Sequence, residues 1–154
     1  MNPSWYGLRY PSLEDLEKAA EDLGCRVGYA DIGEDAIYIA PDADYGEPPV
    51  ILIPTGIGLL RQAWLMAHEL AHLVMHSGPK SKLTYRRDET RADLWAACAL
   101  IPEARIQDYQ NACQDVFIGA LSAHYEDIPL EICELRDLAA DIATIRLRAL
   151  KEVA

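Results

Sequence analysis

The stretch MAHELAHLVMH, residues 66–76, sets His68, His72 and His76 a helical turn apart and brackets Glu69 in the pattern H-E-x-x-H. Around it Leu59, Leu60, Ala63, Trp64, Ala67, Ala71 and Val74 recur at helical spacing, and Gly78-Pro79 supplies an abrupt stop, so the pattern predicts a helix from Gly58 to about Ser77. An α-helix repeats every 3.6 residues, so His68 and His72 project from one face, close enough for both imidazoles to reach one zinc ion. Glu69 sits one residue round the helix. That position is beside such an ion and not on it, where a general base for hydrolysis is wanted. The competing reading is a core helix whose imidazoles find ordinary hydrogen-bond partners. A third protein ligand from elsewhere in the chain separates the two.

His76 continues the stripe, but at a rise of about 1.5 Å per residue it lies about 12 Å from His68 along the axis. One straight helix cannot bring all three imidazoles to one tetrahedral ion, so His76 is expected to face the substrate, support a ligand or be structural. A better candidate lies in DETRADLWAACALIP, residues 88–102, which predicts a second helix over 88–101 ended by Pro102. Glu89 and Asp93 are one turn apart there, on the stripe continued by Ala96 and Leu100, so one carboxylate can complete a zinc shell while the other orients a ligand histidine. Taken alone, Glu89 reads as part of an acidic first turn facing the helix dipole, with Asp88 as N-cap. After an H-E-x-x-H helix the ligand role is the stronger reading. Tyr85 and His76 are both candidates to stabilise an oxyanion, and the sequence does not choose between them.

The rest of the chain supplies a frame. Ser12, with Asp15 three residues on and Leu13, Leu16, Ala20 and Leu23 at helical spacing, predicts a capped first helix ended by Gly24. RVGYA, AIYIA and VILIP, at 26–30, 36–40 and 50–54, are β-branched or aromatic runs between turn residues and predict the strands of one small sheet. TGIGLLR, residues 55–61, lacks the glycines and lysine of a phosphate loop and reads as a turn into the H-E-x-x-H helix. PKSKLTYRR, residues 79–87, reads as a polar, solvated loop; beyond residue 103 two or three further helices are expected, broken most clearly at YEDIP. With 154 residues, 51% of them hydrophobic, the chain suits a single domain over 1–154, with a catalytic core at about 12–102 and packed helices over 103–154.

Charge narrows the partners. A formal net charge of −11 argues against direct nucleic-acid binding, which needs clustered Lys and Arg. The start carries no basic segment followed by an apolar run, and the longest apolar stretch is broken by Arg61, Gln62, His68, Glu69 and His72, so neither a secretory signal nor a membrane span is expected and the location is expected to be cytoplasmic. Cys25, Cys98, Cys113 and Cys133 are scattered without a C-x-x-C spacing and are expected to be reduced and mostly buried. Lys80, Lys82, Arg86, Arg87 and Arg91 gather beside the candidate site and read as a solvated loop in preference to a patch that steers an acidic substrate.

The E-x-x-x-D spacing after H-E-x-x-H resembles the gluzincin pattern of thermolysin-like peptidases. More specifically, HELAHLVMH followed by a short connection and ETRADLWAACALIP resembles the ImmA/IrrE family of bacterial and phage metallo-endopeptidases, and the strand region and the LSAHYEDIPLEICELRDL tail extend the likeness over most of residues 12–140. The resemblance implies a compact zincin-like α+β fold, with a small three-stranded sheet, an H-E-x-x-H helix, a Glu-bearing second helix and a C-terminal helical segment. It implies His68, His72 and Glu89 on Zn2+, Glu69 as the base, and a helix-turn-helix transcriptional repressor of a mobile element or stress regulon as the protein substrate. Some relatives carry a helix-turn-helix domain ahead of the peptidase; with the catalytic region so near the start, none is expected here. The tail itself resembles a helix-turn-helix only superficially, since Glu126, Asp127, Glu131 and Glu134 have the wrong charge to face phosphates. The competing function is a non-catalytic or toxin-type module of the same fold that acts by binding a regulator or antitoxin. Intact Glu69 and a full set of candidate ligands favour the enzyme.

Overall fold

The computed structural model describes residues 2–39, 44, 46–75, 82–106, 114–125 and 132–153. Helix α1, Leu13–Asp22, starts as the sequence predicts: Ser12 Oγ accepts from the Asp15 N–H at 3.1 Å while Asp15 Oδ2 accepts from the Ser12 N–H at 2.8 Å, a reciprocal cap. It stops at Gly24, whose φ of +82° suits glycine and lets Cys25 turn back toward Ala20 and into the sheet.

The sheet has three strands, β1 (Arg26–Ala30), β2 (Ile37–Ile39) and β3 (Val50–Pro54), in the order β1-β3-β2. β1 runs parallel to β3, and β2 runs antiparallel to it with Tyr38 opposite Ile51. The central strand carries the load: Ile51 and Ile53 are fully buried, whereas Ile37, Tyr38 and Ile39 of β2 are all exposed. All three expected strands are present, β2 one residue shorter than AIYIA at its start.

Helix α2, Leu59–Met75, packs against α1, β3 and three later helices, and its buried residues Leu60, Ala63, Met66, Ala67, Leu70 and Ala71 wrap more than one face. Gln62, buried, donates through Nε2 to the Pro54 carbonyl at 2.9 Å, which fixes the start of α2 on the end of β3. Helix α3, Lys82–Leu100, begins six residues before the expected 88, so most of the presumed polar loop is helical. Lys, Leu and Arg are good helix formers, and a helical extension of this composition looks like a loop when judged by polarity alone. Asp88 is therefore not an N-cap; it lies well inside α3 and is buried. α4 (Glu103–Ile106), α5 (Gln114–Tyr125) and α6 (Ile132–Val153) complete the described elements. Buried Ala67 and Ala71 on α2 and Ala92, Ala96 and Ala99 on α3 keep side chains small where these helices pack, which brings their backbones close. Among the described residues no helix is long and apolar enough to cross a membrane.

Candidate functional site: a histidine and carboxylate cluster between two helices

The close approach of α2 and α3 sets the predicted polar residues face to face. Glu89 bridges both histidines: its Oε1 lies 2.7 Å from His72 Nε2 and its Oε2 3.0 Å from His68 Nε2. The two Nε2 atoms are themselves 3.2 Å apart. On the far side of the ring, His68 Nδ1 meets Asp93 Oδ1 at 2.8 Å. A carboxylate oxygen accepts, so the proton of that bond belongs on Nδ1, which leaves Nε2 as the ring nitrogen that faces His72 and Glu89.

This donor set fits a metal ion. Ring nitrogens and carboxylate oxygens have gathered around one point, where ring protons or a cation must lie among them. Tetrahedral zinc with bonds of about 2.0–2.1 Å spaces its ligands about 3.3 Å apart. The cluster needs only slight spreading to match that spacing, and His68, His72 and Glu89 each offer one donor atom. Glu89 sits about two turns inside α3, too deep to serve the helix dipole, which removes the competing account of its position. The rings are largely enclosed, at 15% and 21% exposed, while Glu89 and Asp93 at 35% and 42% form the open side.

Glu69 stays out of the cluster but feels it. Burial pushes its carboxyl up, the His68 and His72 charges pull it down and Glu89 pushes it up again; the net direction is upward. His68 is also shifted upward: burial works against its charge, but the Asp93 hydrogen bond and the charges of Glu89, Asp93 and Glu69 outweigh it.

His76 lies outside the described residues, and Tyr85 is on the first turn of α3 with its side chain outside them. Lys80 also falls outside, while Arg87 and Arg91 are exposed on α3. Cys25 is buried and Cys98 half-buried, both as free thiols. The sequence reading missed Tyr38, which lies within electrostatic reach of Glu69. AIYIA is apolar throughout, so only the pairing of β2 with β3 reveals that Tyr38 shares the face of Ile51 and not that of its isoleucine neighbours.

A family model, Peptidase_M78, described as the IrrE N-terminal-like domain, matches residues 20–126 and so takes in the sheet, α2, α3 and the whole cluster. No curated protein and no solved structure matches the chain. The matched span covers well over half of the sequence and carries a histidine and glutamate group suited to a metal, and the chain belongs to this IrrE-like family of metallopeptidases.

Proposed function

We propose that the protein is a zinc-dependent endopeptidase of narrow specificity that cuts a helix-turn-helix transcriptional repressor of a mobile element or stress regulon. The observation that carries the chemistry is the convergence of His68, His72 and Glu89 on one point with Glu69 beside it. In this reading His68, His72 and Glu89 hold the ion and Asp93 fixes the His68 ring. Zinc there supplies Lewis-acid polarisation of a carbonyl and lowers the pKa of a water toward about 7. Glu69 takes the proton of the attacking water and delivers it to the leaving amine. The substrate adds as an extended strand along β2, the outer strand among those described and the one whose Tyr38 feels the Glu69 charge. The repressor as substrate follows from family likeness alone, which is analogy.

Two measurements test this. Purified protein is expected to hold about one zinc per chain and Glu89→Ala to lose most of it; undiminished zinc in that variant, with loss on Asp93→Ala, would reassign the third ligand. Zinc-loaded protein incubated with the helix-turn-helix regulator encoded nearest to it is expected to give one Glu69-dependent cut, mapped by mass spectrometry. Rapid degradation of casein in parallel would mean a general peptidase, and stable binding of the regulator without a cut would mean an interaction module.

A further inference from the structure

The sheet holds two tyrosines of the same orientation and different fate. Tyr29 on β1 pairs with Ile53 and Tyr38 on β2 pairs with Ile51, so both lie on the sheet face of the fully buried Ile51 and Ile53. Both are at strands on the sheet's edges, and both are similarly exposed, at 41% and 45%. Tyr29 is closed off, because its hydroxyl donates to Glu17 on α1. Tyr38 sits at the other edge, where no hydrogen bond to its hydroxyl is made among the described residues, and the groups that act on it are Cys25 and Glu69.

We infer that Tyr38 is a substrate-contacting residue, whose phenol stands at the outer edge strand β2 on the Glu69 side of the cluster and donates a hydrogen bond to the carbonyl oxygen of the peptide group being cut. The inference rests on the peptidase reading of the site. A strand laid along β2 runs its backbone past Tyr38, and the side-chain alternation of β2 turns this residue, not Ile37 or Ile39, toward the α2 face. The hydroxyl then stands where negative charge develops on the carbonyl oxygen, and a donor already in place there strengthens its bond as the charge grows. Burial, with the Cys25 and Glu69 charges adding to it, pushes the phenol upward, so it keeps its proton at neutral pH. Among the side chains on the two edge strands, those of Ile37 and Ile39 carry no donor and the Tyr29 hydroxyl is engaged by Glu17.

The test uses the zinc-loaded full chain and two probes. N-phosphoryl-Leu-Trp carries a tetrahedral phosphoryl group in place of the attacked carbonyl and extends along the strand direction; acetohydroxamate binds metal and reaches nothing further. Tyr38→Phe is expected to weaken N-phosphoryl-Leu-Trp about tenfold or more, the loss of a hydrogen bond to a charged oxygen, with acetohydroxamate affinity and zinc content unchanged. A crystal structure of the wild-type complex is expected to show the Tyr38 hydroxyl within hydrogen-bond distance of a phosphoryl oxygen. Equal affinity of both proteins for N-phosphoryl-Leu-Trp, or equal weakening of both probes in the variant, overturns the role of Tyr38 and leaves the peptidase reading standing. A wild-type protein that takes up zinc and binds neither probe removes both.

Discussion

His124 and His68 both sit on helices against a second element, and their surroundings differ in one respect. At the junction of α5 with the segment leading into α1, His124 Nε2 and the Tyr125 hydroxyl both engage the Pro11 carbonyl at 2.9 Å, and the imidazole packs against the Tyr10 and Tyr125 rings. Both of these donors end on one backbone carbonyl, so the arrangement locks the chain entry to α1. Between α2 and α3, His68 and His72 end on Glu89, on Asp93 and on each other. Side chains of two helices that meet one another around a shared point form a site; a histidine held on a carbonyl between two aromatic rings forms a joint.

The sharpest way to break this comparison is at Glu69, which belongs to the site without belonging to the cluster of donors. Glu69→Gln is expected to keep zinc and fold and to lose hydrolysis by a factor of about a hundred to ten thousand, because an amide can bond the water and cannot take its proton. Cleavage rate and zinc content measured on the same preparation check both halves. Near-wild-type cleavage by the amide variant would remove Glu69 from the mechanism.

Asp93 tests whether the site has a supporting layer. Asp93→Asn is expected to weaken zinc binding about ten- to a hundredfold, read by competition with a chelator, since a carboxamide holds the His68 Nδ1–H less strongly and can present its own N–H to the ring. His124→Phe is the control from the joint, with zinc affinity expected to stay as in the wild type. Equal loss in the two variants would mean that zinc responds to stability alone.

How much of this was legible depends on whether a residue's role is set within its own helix or across elements. H-E-x-x-H fixes the relation of His68, Glu69 and His72 through helical repeat alone, and the Ser12–Asp15 cap is equally local, so both could be read directly. Glu89 and Asp93 could be picked out as a pair, but which one faced both histidines depended on the approach of α2 to α3. The start of α3 was misread because residues 82–87 are polar and carry no apolar periodicity, and the mistake moved Asp88 from helix interior to cap. Tyr38 was invisible: its face is decided by the register of β2 on β3, which a three-residue apolar strand does not announce.

A smaller effect sharpens the account of the joint. Tyr125→Phe removes one of two donors to the Pro11 carbonyl and leaves His124 in place, so the cost is expected to be about 1 kcal/mol, the net worth of one hydrogen bond. In a chain of this size that lowers the melting temperature by about 2–4 °C. Zinc affinity is expected not to change. A drop several times larger would mean that the joint holds more than the entry to α1.

The smallest effect concerns the other end of the same entry. Asp15 takes hydrogen bonds from Arg9, one of them at 2.8 Å, and from the Ser12 N–H, while its own N–H reaches Ser12 Oγ. The Arg9 bonds hold its carboxyl at about 2, below the usual carboxylate range; the Ser12 bonds assist and partial burial opposes. A folded-state value below the unfolded one means that the unfolded chain binds the proton first on acidification. The contribution of Asp15 is therefore fully present above about pH 4 and is lost as pH falls toward 2. Because Arg9 is exposed and salt screens such a pair, the contribution is small. Urea unfolding at pH 5 and at pH 2.5 is expected to show the wild type losing slightly more stability over that interval than Asp15→Asn, with the difference shrinking in 1 M salt. An identical pH dependence in the two proteins would mean that the cap holds through the Ser12 hydroxyl alone and that the carboxylate of Asp15 adds nothing to the start of α1.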